Sequence, residues 1–67
     1  MYYLWTSNMT PAGEWSEWHL EATYKARGAR TALINKLRRW RKDRVRFKTL
    51  DVAYEPPSHE LGTEVTP

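Results

Sequence analysis

The chain contains no cysteine. That removes disulfides, thiolate zinc sites and a cysteine nucleophile together. No apolar run approaches the ~20 residues of a membrane-spanning helix. Met1-Tyr2-Tyr3-Leu4-Trp5 is too short for a signal peptide and lacks its basic start. A cytoplasmic, intracellular protein is therefore expected, and Asn8-Met9-Thr10, followed by Pro11, reads as a turn rather than a glycosylation acceptor. With only 3 glycines there is no Gly-rich phosphate loop, and no nucleophile elbow is present. A metal site would need both histidines, His19 and His59, together with carboxylates. Neither metal nor cofactor is expected, and so small a chain has little room for the water-excluding cleft of an enzyme.

Sixty-seven residues make one domain at most. A domain of this size buries only about 60% of the surface of its unfolded chain, so its core needs reinforcement. The 4 Trp, 4 Tyr and 1 Phe offer it, because each ring buries a large area for few rotatable bonds.

Charge is scarce in acids just where bases crowd. All 11 Lys and Arg lie between Lys25 and Lys48, where Asp43 is the only acid, giving +10 over that stretch. Residues 1–24 carry −3 and residues 49–67 carry −4. An acidic–basic–acidic order points to a polyanionic partner.

Tyr2 to Ser7 is rich in strand formers, and residues 8–13 supply turn chemistry from Asn, Pro and Gly. From Glu14 to Tyr24 the residues alternate, with Trp18, Leu20, Ala22 and Tyr24 on one parity. This predicts a second strand and a hairpin, although Ser16 to Thr23 could instead extend the following helix. Ala26, Ala29, Leu33, Leu37 and Trp40, with Ile34 beside them, mark an amphipathic helix over Ala29–Lys42, capped by Gly28 or Thr23. Alternation resumes from Arg44 to Tyr54, but its parity reverses. Val45 and Phe47 oppose Arg44, Arg46 and Lys48, and then Leu50, Val52 and Tyr54 become the apolar set. Either a bulge near Thr49 realigns the faces or the two halves of the strand have different neighbours. The expected fold is α+β in the order β-β-α-β: a small antiparallel sheet with one amphipathic helix on a face. The domain spans 1–55, followed by a disordered acidic tail over 56–67.

Trp15-Ser16-Glu17-Trp18 resembles the Trp-Ser-x-Trp part of the motif in class I cytokine receptors and thrombospondin-type repeats, where Arg side chains stack between Trp rings. The resemblance covers four residues, with His19 standing where the receptor motif has Ser, and the cysteines of those families are missing, so no membership follows. On a strand, Trp15 and Trp18 would fall on opposite faces, with Trp18 in the core and Trp15 exposed or meeting an Arg.

The leading functional expectation is a small binding protein that contacts nucleic acid, DNA or RNA. Lys36, Arg38, Arg39, Lys42, Arg44, Arg46 and Lys48 would meet phosphates. Trp15, Trp40 and Trp5 are candidate stacking or interface anchors, Trp40 also falling on the apolar stripe and so in the core. The alternative is a phage-like accessory or inhibitory protein docking on a larger acidic protein through the same Arg and Trp residues. A basic amphipathic helix also suits anionic membrane, but this helix needs its apolar stripe for the domain's own core, which argues against it. A homodimer through an edge strand fits each reading.

Overall fold

The order of elements follows from where alternation and helical spacing exchange places along the chain. In the computed structural model, which describes residues 1–53 and 59–65, strand β1 (Tyr2–Asn8) is followed by β2 (His19–Tyr24), helix α1 (Arg27–Arg41) and β3 (Val45–Asp51). A single 3-10 turn over Lys42–Arg44 joins α1 to β3, and a second over His59–Leu61 precedes a two-residue strand β4 (Thr63–Glu64). The sheet is antiparallel in the order β2-β1-β3-β4, with α1 packed on one face. This is the α+β fold expected, with one more strand. The tail expectation for 56–67 lies partly outside the described residues, as does Tyr54. Within it, β4 returns to β3, placing Glu64 opposite Lys48 and Thr63 opposite Thr49. The Val65 N–H also donates to the Phe47 carbonyl.

Tyr2, Leu4, Thr6 and Asn8 face the helix from β1, opposite Asp51, Thr49, Phe47 and Val45 of β3. Leu4, Val45 and Phe47 form the core with Ile34 of α1, and Leu33, Leu37 and Val65 pack around them. The pairing of β1 with β3 runs residue for residue, without a bulge at Thr49. The second alternative holds instead: the two halves of the strand have different neighbours. The helix-facing side of β3 is apolar at Val45 and Phe47 but ends in Asp51, so its two halves meet different parts of the helix.

Those parts are visible in α1. The residues of α1 that meet the sheet are Arg27, Arg30, Leu33, Ile34, Leu37, Arg38 and Arg41, spaced 3, 3, 1, 3, 1 and 3. Ala29 and Trp40 of the expected stripe are exposed. Arg30, only 7% exposed, donates to Asp51 Oδ1 at 2.5 Å and to the Tyr3 carbonyl at 3.3 Å. Arg27 reaches Asp51 Oδ2 at 3.2 Å, and both guanidinium groups lie over the Tyr2 ring, at 5.7 and 5.4 Å. At the far end Arg41 donates to Asn8 Oδ1 at 2.6 Å. A sheet-facing seam with arginines at its ends does not stand out in a hydrophobicity pattern, which is why the stripe read from the sequence is rotated.

The bulge lies in β2. Leu4 pairs with Ala22 but Trp5 pairs with Leu20, leaving Glu21 as the extra residue. Ala22 and Tyr24 therefore share the helix side with their partners Leu4 and Tyr2, while Leu20 shares the other side with Trp5. His19 and Glu21 both reach the buried Thr6 hydroxyl, which lies 3.0 Å from His19 Nε2 and donates to Glu21 Oε1 at 3.2 Å. Neither expected cap is used. Ala26 occupies the N-cap position without a side-chain hydrogen bond. The helix stops at Lys42, whose φ of 53° and ψ of −117° suit glycine alone.

Two outcomes follow. Partial burial acts to raise the Asp51 pKa, but the hydrogen bond and charge of Arg30, with those of Arg27, outweigh it, so the carboxyl lies below its ordinary value. A depressed carboxylate pKa stabilises the fold above the unfolded-state value of about 3.9, and that contribution is lost as pH falls through the folded-state value. D51N should cost about 1–2 kcal/mol at pH 7, screening of the part-exposed carboxylate included. In urea titrations its deficit should shrink as pH drops below about 3.9. K42G should relieve the strained backbone and raise stability by about 1 kcal/mol, or about 4–8 °C in Tm, where K42A does not.

Candidate functional site

β1 carries Tyr3, Trp5 and Ser7 on the side away from the helix, opposite Leu50, Lys48 and Arg46 of β3. The Tyr3 and Trp5 rings stack at 6.1 Å and are buried, each 4% exposed. Trp5 is therefore core, which removes it as an exposed anchor. Two further indoles reach this face from the connection between β1 and β2.

That connection is held locally. The turn from Thr10 to Glu14 closes through Gly13 N–H to the Thr10 carbonyl at 2.9 Å and Thr10 N–H to the Glu14 carbonyl at 2.7 Å. Gly13 has a φ of +83°, which requires glycine. Ser7 Oγ donates to the Ser16 carbonyl at 2.6 Å, Asn8 N–H to Ser16 Oγ at 2.9 Å, and Ser16 N–H to the Asn8 carbonyl at 2.8 Å. Ser16 is pinned to β1 in this way, and residues 16–18 form no strand; the one bridge here joins Met9 and Trp15. Strand alternation consequently does not apply, and Trp15 and Trp18 come to the same side rather than opposite faces.

Arg46 lies over both rings, 4.7 Å from the centroid of Trp15 and 4.8 Å from that of Trp18. Lys48 Nζ is 4.8 Å from the Trp18 centroid. The result is a row, Trp15–Arg46–Trp18–Lys48, in which aromatic and cation alternate. No carboxylate pairs with either cation among the described residues, and Arg46 Nε is buried without a hydrogen-bond partner. Glu64, opposite Lys48 in β4, forms no ion pair with it. The Trp-Ser-x-Trp spacing thus builds the Arg–Trp stacking for which the motif is noted elsewhere, on a different scaffold.

Compared with protein-family models, curated proteins and solved structures, the chain matches none. The site must be read from its own geometry.

The other expected contacts scatter. Lys36 and Arg39 lie on the outer side of α1, away from the sheet, and Lys36 Nζ sits 5.5 Å from the centroid of Trp40. Trp40 is 75% exposed and so is not core. Arg38 lies against Phe47, its guanidinium 5.5 Å from the ring centroid, and shares a pocket with Trp15, Lys42 and Arg46. Lys42 and Arg44 are exposed in the turn before β3. The basic segment is therefore spread around the molecule rather than gathered on one face. Arg46 and Lys48 point away from the helix, while Lys36, Arg39 and Trp40 lie on its outer surface.

Metal and membrane expectations meet simple facts. Among the described residues no three His, Cys, Asp or Glu side chains cluster, and the side chain of His59 lies outside them. No described helix is long and apolar enough to cross a membrane.

If the Trp15–Arg46–Trp18 contacts stabilise the fold, R46A should cost about 1–2 kcal/mol in chemical denaturation, from two cation–π contacts at about 0.5–1 kcal/mol each. R39A, on the outer helix, should stay within about 0.5 kcal/mol of the wild type. A double-mutant cycle between R46A and W18A should return a coupling of about 0.5–1 kcal/mol.

Proposed function

We propose that the protein is a small non-catalytic nucleic-acid-binding module, and that the row Trp15–Arg46–Trp18–Lys48 is the centre of its binding surface. The observation that carries this reading is the pairing of cations with indole rings in place of carboxylates. A cation over a ring keeps its full charge and its N–H donors, so it remains available to a phosphate. Like charges left unneutralised in a marginal domain repel one another and lower its stability, a cost that an anionic partner relieves. Trp15, 38% exposed, adds a surface on which a base can stack.

Arg44 extends the cations beyond the N-terminal end of β3. Arg38 belongs to the fold through Phe47, and its contribution to binding is secondary. Phosphate contacts carry little sequence information, so the expected preference among sequences is weak.

Fluorescence anisotropy with labelled oligonucleotides tests the reading. Wild-type affinity should fall steeply with salt. R46Q/K48Q should bind at least tenfold more weakly at the same salt, whereas R39Q should change affinity less than threefold. Lack of binding even at low salt would refute the proposal. Docking on an acidic protein, anchored by the exposed Trp40, would then be the reading to pursue.

A further inference from the structure

Trp40 is the most exposed large hydrophobic residue among those described, and the fold gives it no packing role. It stands in the last turn of α1, beneath Lys36 one turn earlier. It also lines a groove of about 530 Å³ with Met9, Arg41, Lys42, Asp43 and Arg44. Met9 is the hinge of the geometry. It bridges to Trp15 on one side, donates its N–H to the Arg44 carbonyl at 2.8 Å, and shares the groove with Trp40. The groove therefore continues the Trp–cation row around the end of the molecule where β1 leaves the sheet and β3 enters it.

Followed from one end, the side chains read Lys48, Trp18, Arg46, Trp15, then Arg44 beside Met9, then Trp40 and Lys36. Cation and indole alternate along the whole path. Arg41 is occupied by Asn8, while Lys42 and Arg44 carry no ion pair among the described residues, so Asp43 is the one acid facing this groove. The carbonyl end of a helix is partially negative, and the basic last turn of α1 offsets it.

We infer that this track binds single-stranded nucleic acid, wrapped from the sheet face around the end of the domain to the outer side of the helix. The inference rests on the nucleic-acid reading and narrows it. The two ends of the track face opposite ways, separated by the thickness of a sheet and a helix. Duplex DNA has a persistence length of about 50 nm and cannot turn through that bend, so it reaches only one segment at a time. A single strand can follow it, with bases stacking on Trp18, Trp15 and Trp40 and phosphates meeting the cations between them. The path accommodates about 4–8 nucleotides, toward the low end of single-strand site sizes.

The full-length protein would be titrated with dT4, dT6, dT8 and dT12 and with a 12-base-pair duplex. Affinity should rise with length to a plateau near dT8, and the duplex should bind at least tenfold more weakly than dT12. Trp40→Ala should weaken dT12 binding about tenfold, as expected for loss of one stacked base. It should leave dT4 binding within threefold, with an unchanged circular dichroism spectrum, since Trp40 is 75% exposed. Equal affinity for duplex and single strand, or a W40A effect that does not depend on length, overturns the track while leaving the sheet-face site intact. Binding of no oligonucleotide at all overturns both.

Discussion

The arrangement depends on a buried arginine. Arg30 is drawn under the helix by Asp51 and by the Tyr3 carbonyl, and a guanidinium at 7% exposure without them would carry a large desolvation penalty. Because Asp51 ends β3 and Tyr3 lies in β1, one side chain ties the first turns of the helix to both central strands. At the other end Arg41, bound to Asn8, ties the helix to β1. Between them the apolar contact is short: Leu33, Ile34 and Leu37 on Leu4, Val45 and Phe47. A core of this size fixes a helix weakly, and directional hydrogen bonds at its two ends set its rotation.

That rotation decides what the outer surface offers. With Arg27, Arg30 and Arg41 committed to the sheet, Lys36, Arg39 and Trp40 are turned out. Of the apolar stripe, Leu33 and Leu37 meet the core while Ala26, Ala29 and Trp40 lie outside the seam, so Trp40 is exposed and Arg30 is buried. The seam actually used consumes cations in the fold and releases an indole from it. The basic segment thus divides into arginines that hold the structure and cations with no ion pair among the described residues.

Much of the fold was legible in the sequence because alternation and helical spacing are local signals. β1, the position of α1 and the strand after it follow from them, as does the antiparallel sheet. The departures share a physical basis. The bulge at Glu21 exchanges the faces of β2, and a bulge leaves no trace in a pattern that simply alternates. β4 is two residues long in an acidic, Pro-bounded stretch, too short for any periodicity. The helix seam was misread because the buried Arg30, and the Arg27 and Arg41 that bond to the sheet, count as polar. At the candidate site, Arg46 and Lys48 were legible as a row on one strand. Their Trp partners were not, because Trp15 and Trp18 sit in a loop whose shape is set by Ser7 and Ser16 hydrogen bonds. Trp-Ser-x-Trp followed by alternating Arg and Lys was the available signal, and reading it required treating the tetrapeptide as a loop.

In the proposed reading, cation–indole pairing also reconciles stability with binding. A carboxylate beside Arg46 would steady the fold, but a phosphate would then have to displace it. Trp15 and Trp18 position the guanidinium without neutralising it, so the ordering entropy of its long side chain is largely spent on folding rather than on binding. Ser7 and Ser16 hold the loop carrying both rings to the central strand, so the row is built before any partner arrives. Trp40 stands in contrast, 75% exposed on the helix surface with Lys36 over its ring. A surface with one preorganised segment and one exposed indole matches the single strand proposed as its ligand.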